Sequence, residues 1–153
     1  MTKEKSKIID HYSNSIEFVE SLSCITENQW RSPIDTGKWS IAEIIGHLVF
    51  WDEVVHKRIP HLFSEGVLPK VPDVEAMNSQ AAAEARTYEK QMLVNKFVAV
   101  RKELIGAIDK MPLTDWCKEF NIGQTRLNLF DYYNGLVKHD THHFQQIKRV
   151  LEL

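Results

Sequence analysis

Apolar side chains recur along most of this chain at spacings of three and four residues, which is the period of an amphipathic α-helix. The pattern predicts four long helices, over residues 3–27, 40–59, 88–110 and 125–152, and a short helix or an ordered lead-in over residues 74–85. No stretch shows the sustained alternation of apolar and polar positions that is typical of strands. The chain is therefore expected to be all-α. The stripe of the third long helix runs through Met92, Val94, Phe97, Val98, Arg101, Leu104 and Ile108.

The start of the second long helix carries the clearest boundary signal. Ser40 and Glu43 have the spacing of a capping box, in which each side chain binds a free backbone N–H of the first turn. Trp39 and Ile44 stand where a hydrophobic staple would close around the same turn. We therefore expect this helix to begin after Ser40 and to end near Pro60, which cannot continue it.

The segments between the predicted helices contain proline and glycine. Residues 30–38 and 111–123 are predicted to be loops, and Thr125 is placed to cap the last helix. Residues 60–73 form a longer connection, with one glycine and three prolines. A crossover of this length suits a four-helix bundle whose helices do not simply alternate in direction.

Length and composition fit one domain that spans residues 1–153. Apolar residues make up 43% of the chain and charged residues 26%, as in ordinary globular domains with a single core. The formal net charge is -2 with both signs mixed along the chain, so a nucleic-acid partner is not expected. No run is apolar enough to span a bilayer and the start lacks a signal-peptide pattern, so we expect a cytoplasmic protein with no membrane partner.

The two cysteines, Cys24 and Cys117, are far apart in the sequence and belong to no CxxC pair. A disulfide framework or a cysteine zinc site is therefore not expected. Both are predicted to be free thiols without a neighbouring base of the kind that a catalytic cysteine requires.

Three histidines interrupt the apolar stripes of the predicted helices. His139 and His143 are four residues apart on the inward stripe of the last helix, so their imidazoles can converge on one ion. His47 shares a side of the second helix with Ile44 and Trp51 and would supply a third nitrogen. Three neutral imidazoles with one open position form the ligand set of a catalytic rather than a closed structural zinc site.

Each of these histidines, taken alone, could instead be a hydrogen-bonded core residue. Spacing does not show whether His47 converges with the pair on the last helix. His142, at the edge of the stripe, is expected to be exposed rather than ligating. His11, His56 and His61 have no partner at ligand spacing and are expected at the surface.

The sequence also contains short patterns that resemble two other kinds of metal site. The string HDTHH resembles the HExxH of metalloproteases, but only ten residues follow His143 to supply a downstream third ligand. The pairs Glu53–His56 and Asp140–His143 resemble the ExxH elements of di-iron carboxylate bundles. That site also needs inward carboxylates on the first and third helices, whose stripes contain none. Neither pattern is favoured.

Two segments carry a resemblance to a known family: KWSIAEIIGHLVFWDE, with a Trp-Ser helix start, and VKHDTHHFQQIKRVLEL, with an HxxHHxxQI pattern. They resemble the DinB-like, or DNA-damage-inducible, four-helix-bundle proteins, which include the YfiT-type proteins, over nearly the whole chain. The resemblance implies an up-down-down-up bundle with a long crossover between helices 2 and 3. It also implies that His47, His139 and His143 bind one divalent transition metal, zinc or nickel. Many members of the family resemble homodimers, a property on which this sequence itself gives no signal.

Some proteins of this family resemble thiol-dependent enzymes that join a low-molecular-weight thiol, such as bacillithiol or mycothiol, to an electrophile. The resemblance thus implies a metal-dependent thiol S-transferase, in which the thiol occupies the open position on the metal as thiolate. A non-enzymatic metal-binding or stress-associated interaction protein is the alternative, because a shared fold does not transfer function.

Three polar residues near the predicted ligands are candidates for supporting roles. Gln146 could order a metal-bound water or a substrate, although capping of the bundle end is the favoured interpretation. Asp52 and Asp140 could accept a hydrogen bond that fixes a histidine tautomer, with solvated surface carboxylates as the alternative.

Overall fold

The fold is given by a computed structural model that describes residues 2–63, 68 and 73–153. Within those residues the helices are α1 (Lys3–Ser21), α2 (Glu27–Arg31), α3 (Ile41–Arg58), α4 (Val74–Ala85), α5 (Lys90–Lys110), α6 (Leu113–Trp116) and α7 (Leu129–Leu151). The strands are β1 (Glu119–Ile122) and β2 (Thr125–Asn128). Among the described residues, none of these helices combines the length and hydropathy that crossing a membrane requires.

The four longest helices form a bundle, in which α5 and α7 each pack against both α1 and α3. One apolar cluster joins the C-terminal halves of α1 and α7 to the N-terminal halves of α3 and α5, and includes Val19, Leu22, Ile41, Ile44, Ile45, Leu93, Phe97, Phe144 and Ile147. A second cluster joins the opposite halves and includes Ile8, Tyr12, Val55, Leu104, Ile108, Leu129 and Tyr133. Helices α1 and α7 therefore run in one direction and α3 and α5 in the other. This confirms the up-down-down-up bundle predicted from the sequence.

The start of α3 forms the predicted capping box. Glu43 N donates to Ser40 Oγ, and Ser40 N donates to Glu43 Oε1, each at 3.1 Å. The helix begins at Ile41, and its first residues are buried in the bundle. Because this start fixes the rotational phase of α3, it also determines that His47 faces the bundle interior.

The prediction of a loop over residues 111–123 is wrong. This segment contains α6 and β1, and β1 pairs with β2 in an antiparallel hairpin that has Glu119 opposite Asn128 and Ile122 opposite Thr125. Strands of four residues are too short to give the sustained alternation of apolar and polar positions that a sequence pattern detects. The fold is a helical bundle with one small hairpin in its described part.

Two predicted helix ends are also wrong. Helix α7 is capped by Asn128, whose Oδ1 accepts from Asp131 N at 2.9 Å, and not by Thr125, which lies in β2. Helix α1 ends at Ser21, before the predicted end at residue 27, and a second capping box, at Thr26, opens the short helix α2. The loop that leads to α3 therefore begins only after α2.

The helix α4, at its predicted position, packs closely on α3. A Cβ atom on Gly46 would come within 2.5 Å of Ala85 Cβ, so glycine allows this close approach of the two helices. Gly66, Pro69 and Pro72, which carried the prediction of a long crossover before α4, lie outside the described residues.

Candidate metal centre

Three histidine side chains from two helices of the bundle meet at one point. The Nε2 atom of His139 lies 3.2 Å from Nε2 of His47 and 3.2 Å from Nε2 of His143. Within the described residues, this is the one group of three histidine, cysteine or acidic side chains whose possible ligand atoms all lie within 4.8 Å of one another. The structure thus brings together the three residues that the sequence analysis predicted as metal ligands.

Antiparallel packing of α3 and α7 explains why these side chains meet. The N-terminal half of α3, which carries His47, lies beside the C-terminal half of α7. His139 and His143 are one turn apart on α7, so both can reach the same point opposite α3. The convergence therefore depends on the direction of the helices as well as on the spacing of the histidines.

The cluster is closed on one side and open on the other. His47 and His143 are buried, whereas His139 is exposed. The expectation that both histidines of the last helix face the core is therefore wrong for His139, which lies at the edge of the bundle. Trp39 covers the buried side, with its ring centroid 4.8 Å from that of His47 and 6.3 Å from that of His143. Solvent reaches the cluster at His139.

The three imidazoles are weak bases in this environment. Burial, together with the neighbouring His143 and His139, lowers the pKa of His47 from 6.5 to about 3. Loss of hydration around the ring nitrogens, which face one another inside the cluster, also lowers the pKa values of His143 and of the otherwise exposed His139. The side chain of Asn78 acts to raise the pKa of His47, but this effect is smaller than those that lower it. The Oδ1 atom of Asn78 accepts a hydrogen bond from Trp51 Nε1 at 2.8 Å. The three rings are neutral near pH 7 and keep the lone pairs that a metal requires.

The ring nitrogens that face away from the cluster differ in their partners. His143 Nδ1 lies 2.9 Å from Gln146 Oε1, an oxygen that only accepts, so the proton is on Nδ1 and the Nε2 lone pair is free. His47 Nδ1 is buried and has no hydrogen-bond partner among the described residues. The favoured interpretation of Gln146 as a cap of the bundle end is therefore wrong, because Gln146 orients a histidine of the cluster.

The spacing of the nitrogens fits a small metal ion. Zn–N bonds of about 2.0–2.1 Å at a tetrahedral angle separate two ligand nitrogens by about 3.3–3.4 Å. The two Nε2–Nε2 distances of 3.2 Å are close to that separation. Neutral imidazole nitrogens are also ligands that suit zinc, nickel, copper and iron. The side chains present therefore fit a divalent transition metal.

The two candidate carboxylates bind an arginine rather than a histidine of the cluster. Asp52 and Asp140 are buried, and each accepts two hydrogen bonds from the guanidinium of Arg101. Neither predicted alternative, a tautomer-fixing acceptor for a ligand or a solvated surface carboxylate, describes them. His11, expected at the surface, is partly buried, and its Nε2 donates to Asp140 Oδ2 at 2.9 Å.

Arg101 is the residue to which the sequence assigned no role. Its position on a buried stripe between Phe97 and Leu104 was the available signal, because arginine is rarely buried unless its charge is paired. Its partners lie on α3 and α7, and helical spacing within α5 carries no information about them. The pairing could therefore be found only in the folded chain.

The remaining candidates behave as expected. His56, His61 and His142 are exposed, and Cys24 and Cys117 are exposed free thiols. Neither alternative metal pattern gains support within the described residues, because the aspartate that both would use is bound to the arginine, and the one complete metal-binding group is the three-histidine cluster.

Comparison with solved structures shows the same fold in two proteins. One is YfiT from Bacillus subtilis, described as a probable metal-dependent hydrolase with an unusual four-helix bundle topology; the TM-score is 0.81 with 15% identity, over 98% of this chain and 87% of that one. The other is a mutant of the mycothiol-dependent maleylpyruvate isomerase, with a TM-score of 0.71 and 13% identity, over 99% of this chain and 70% of that one. At these identities the likeness concerns the fold alone.

Comparison of the sequence gives the family. No curated protein matches the chain. The family model described as the DinB superfamily matches residues 11–147, a range that contains His47, His139 and His143. Bundle topology and sequence match agree with the resemblance carried by the two histidine-bearing segments, and the chain belongs to the DinB superfamily.

Proposed function

We propose that His47, His139 and His143 hold one divalent transition metal ion, zinc or nickel, and that the protein is a metal-dependent transferase that joins a low-molecular-weight thiol to an electrophile. The observation that carries the proposal is the convergence of three neutral imidazoles at a point that is open to solvent on one side. Two fold neighbours support it, since YfiT is described as metal-dependent and the isomerase as mycothiol-dependent.

The cluster leaves room for a ligand that is not part of the chain. Three protein nitrogens and one open position are typical of catalytic zinc sites, whereas structural sites are closed by four protein ligands. No fourth histidine, cysteine or acidic side chain joins the cluster in the described part of the chain. When bound, a divalent ion supplies a Lewis acid that keeps a thiol deprotonated near neutral pH.

The surroundings of the cluster argue against hydrolysis that is assisted by Asp140 as a general base. Activation of water commonly uses a carboxylate as general base, as in the HExxH enzymes. Asp140, the neighbour of His139 in the chain, is already bound by Arg101 and His11 and cannot serve as that base. A thiol has a pKa of about 8.5 and needs no such base beside a metal.

A cleft beside His143 offers space for the electrophile. Ile34, Trp39 and Ile44 give it apolar walls, and Gln146 lines it together with His143. Its volume is about 150 Å³, which is below that of an ordinary ligand pocket and leaves room for a molecule of a few heavy atoms or for part of a larger one. An electrophile in this cleft would lie next to the ring of His143.

Other properties expected from the sequence or from the family resemblance stay predictions. They are a homodimer, a cytoplasmic location, one domain over residues 1–153 and the lack of a nucleic-acid partner. Sedimentation of the purified protein would measure the oligomeric state directly.

Cobalt substitution tests the proposed function in one sample. Protein purified without a histidine tag is loaded with Co²⁺, and its absorption spectrum is recorded with bacillithiol and with a sulfur-free alcohol as control. We expect one ion per chain and a sulfur-to-cobalt charge-transfer band that appears only with the thiol. Bound cobalt without a thiol-dependent change would favour a non-enzymatic metal-binding protein, and a lack of bound cobalt would contradict the metal centre itself.

A further inference from the structure

The cleft beside His143 continues into a second cleft at the C-terminal end of α7. The side chains that line both clefts are those of Ile34, Lys38 and Gln146. The second cleft is completed by Asp35, Arg149 and Val150. Its volume is about 190 Å³, beside about 150 Å³ for the first, so each alone is smaller than an ordinary ligand pocket. A larger molecule therefore has room to extend from the histidine cluster toward the end of α7.

A tight turn places Lys38 at the point where the two clefts meet. Lys38 N donates to Asp35 O at 3.0 Å, and Ile34 N donates to Trp39 O at 2.9 Å on either side of the turn. Gly37 has a φ of 70°, a left-handed conformation that suits glycine within a turn. Trp39 covers the buried side of the histidine cluster. The turn therefore holds Lys38 beside the cluster, one residue before the ring that packs on it.

Arg149 approaches the same clefts from α7. It comes six residues after His143 on that helix, which corresponds to roughly 9 Å along the helix axis at a rise of about 1.5 Å per residue. Gln146 lies halfway between them and lines both clefts. A molecule of low molecular weight can span this separation, with one end at the histidine cluster and the other at Arg149.

The charged side chains of the two clefts do not balance. Apart from His143, they are Lys38, Arg149 and Asp35, so two cations face one carboxylate. Both cations are exposed, and neither takes part in an ion pair among the described residues. The carboxylate of Asp35 is engaged within the turn, where its Oδ1 accepts from Thr36 N at 2.8 Å. The clefts therefore favour a ligand that carries a negative charge.

We propose that Lys38 and Arg149 form a binding site for a carboxylate that is carried by one of the substrates of the histidine cluster. This inference rests on the proposed function, because it assumes that a molecule in the clefts reacts at the metal centre. Guanidinium and ammonium groups both donate charge-assisted hydrogen bonds to a carboxylate. Because the two side chains are exposed, each contact adds a modest affinity, which is enough to select an anion over a neutral molecule of the same shape.

A pair of thiols that differ only in charge tests the site on the cobalt-loaded protein. The probes are ω-mercaptohexanoate and ω-mercaptohexanamide, whose chains are too long for sulfur and the far end to close a small chelate ring on one ion. Their Kd values are read from the sulfur-to-cobalt band at low ionic strength, where screening is weak. We expect the wild type to bind the acid roughly 3- to 10-fold more tightly. In the double variant Lys38→Gln, Arg149→Gln this preference should fall below about twofold, with the Kd of the amide unchanged.

The substitution Lys148→Gln is the matched control. Lys148 also carries a positive charge in the last turn of α7, but it lines the groove between α1 and α7, with Nζ 5.2 Å from the ring centroid of Phe18. Its loss removes the same favourable interaction with the helix dipole as the loss of Arg149. The preference for the acid should therefore persist in Lys148→Gln. Circular dichroism checks the fold of each variant, and the charge-conserving Arg149→Lys should retain most of the preference.

A sulfur-free pair shows which substrate carries the carboxylate. Hexanoate and hexanamide are titrated into the zinc-loaded protein and followed by the NMR signal of the Trp39 indole N–H, which is assigned with Trp39→Phe. A preference for the acid in the thiol pair would assign the carboxylate to the thiol. A preference for the acid in the sulfur-free pair alone would assign it to the electrophile.

The possible results separate this inference from the proposed function. Equal affinities for acid and amide in both pairs would overturn it and leave a thiol-binding metal centre in place. So would a preference that survives loss of both Lys38 and Arg149, or one that is lost equally in Lys148→Gln. Failure of every thiol to change the cobalt spectrum would contradict the proposed function instead. The sulfur-free pair would then still decide whether the clefts select a carboxylate.

Discussion

Gln146 Oε1 accepts a hydrogen bond from His143 Nδ1 at 2.9 Å, across one turn of α7. This bond holds the proton on Nδ1 and leaves the Nε2 lone pair toward His139 and His47. We predict that Gln146→Leu weakens zinc binding about 10- to 100-fold, because His143 loses both its fixed tautomer and its orientation. The measurement is a zinc competition titration.

Gln145→Leu is the control for this prediction. Gln145 is exposed on α7 and lines a groove between α1 and α7, away from the three histidines. Its substitution should leave the zinc Kd unchanged. Equal affinities for Gln146→Leu and wild type would show that the hydrogen bond to His143 has no role in binding.

Alanine substitutions in α7 separate the proposed ligands from their neighbour. We predict that His139→Ala and His143→Ala each reduce the metal content strongly, because the loss of one of three nitrogens leaves a two-point site. His142→Ala should retain one ion per chain, since the side chain is exposed and lies outside the cluster. Elemental analysis after dialysis measures all three. Loss of metal in His142→Ala alone would overturn the assignment.

The helices were predictable because their signals are local. A capping box such as that of Ser40 and Glu43 joins residues within one helical turn, and so does each step of the apolar repeat. Both signals can therefore be recognised without knowing which helix packs against them. The hairpin was missed because β1 and β2 each contain four residues, and its pairing joins positions on either side of Gly123.

The candidate site was predictable in its residues and less so in its surroundings. Helical spacing showed that His139 and His143 could converge. Spacing gives the direction of a side chain around the helix axis but not how deeply it is buried between helices, so the exposure of His139 was missed. The bonds from Arg101 to Asp52 and Asp140 join three helices, and no spacing within a helix predicts such contacts.

The metal-free protein should lose stability as the pH falls below about 6.5. In the unfolded chain His47 has a pKa near 6.5, whereas burial and the other two histidines lower it to about 3 in the fold. The unfolded state therefore binds more protons, and the contribution is fully present above pH 6.5 and lost on acidification. For His47 this amounts to about 1.5 kcal/mol between pH 6.5 and 5.

Asp52 acts in the opposite direction, because burial raises its pKa to about 6 and its protonation stabilises the fold as the pH falls. The contribution of His47 is therefore measured as the difference between wild type and His47→Asn, by urea unfolding of metal-free protein at pH 5, 6 and 7. The wild type should show the steeper loss on acidification. Parallel profiles for the two proteins would contradict the neutral, buried state of His47.

Close packing of α3 and α4 predicts opposite effects for two glycine substitutions. In Gly46→Ala the new methyl group meets Ala85 Cβ at 2.5 Å, and relief of this overlap should lower the free energy of unfolding by about 1–3 kcal/mol. No atom lies within 4 Å of the Cβ that Gly135→Ala would add, so this substitution should raise the free energy of unfolding by about 0.5–1 kcal/mol. Urea unfolding measures both. A stabilising Gly46→Ala would show that α4 does not pack on α3 as described.

His47 decides whether α3 and α7 share one ion, because it lies 92 residues before His139 in the chain. The measurement is a thermal melt by circular dichroism of wild type and His47→Ala, each with and without zinc, with the exposed His56→Ala as control. At a zinc concentration 100 times Kd, the ion should add about 2.7 kcal/mol and raise the Tm of wild type and His56→Ala by roughly 5–10 °C. The shift should largely disappear in His47→Ala, while metal-free protein stays helical. An unchanged shift in His47→Ala would contradict a metal centre shared by the two helices.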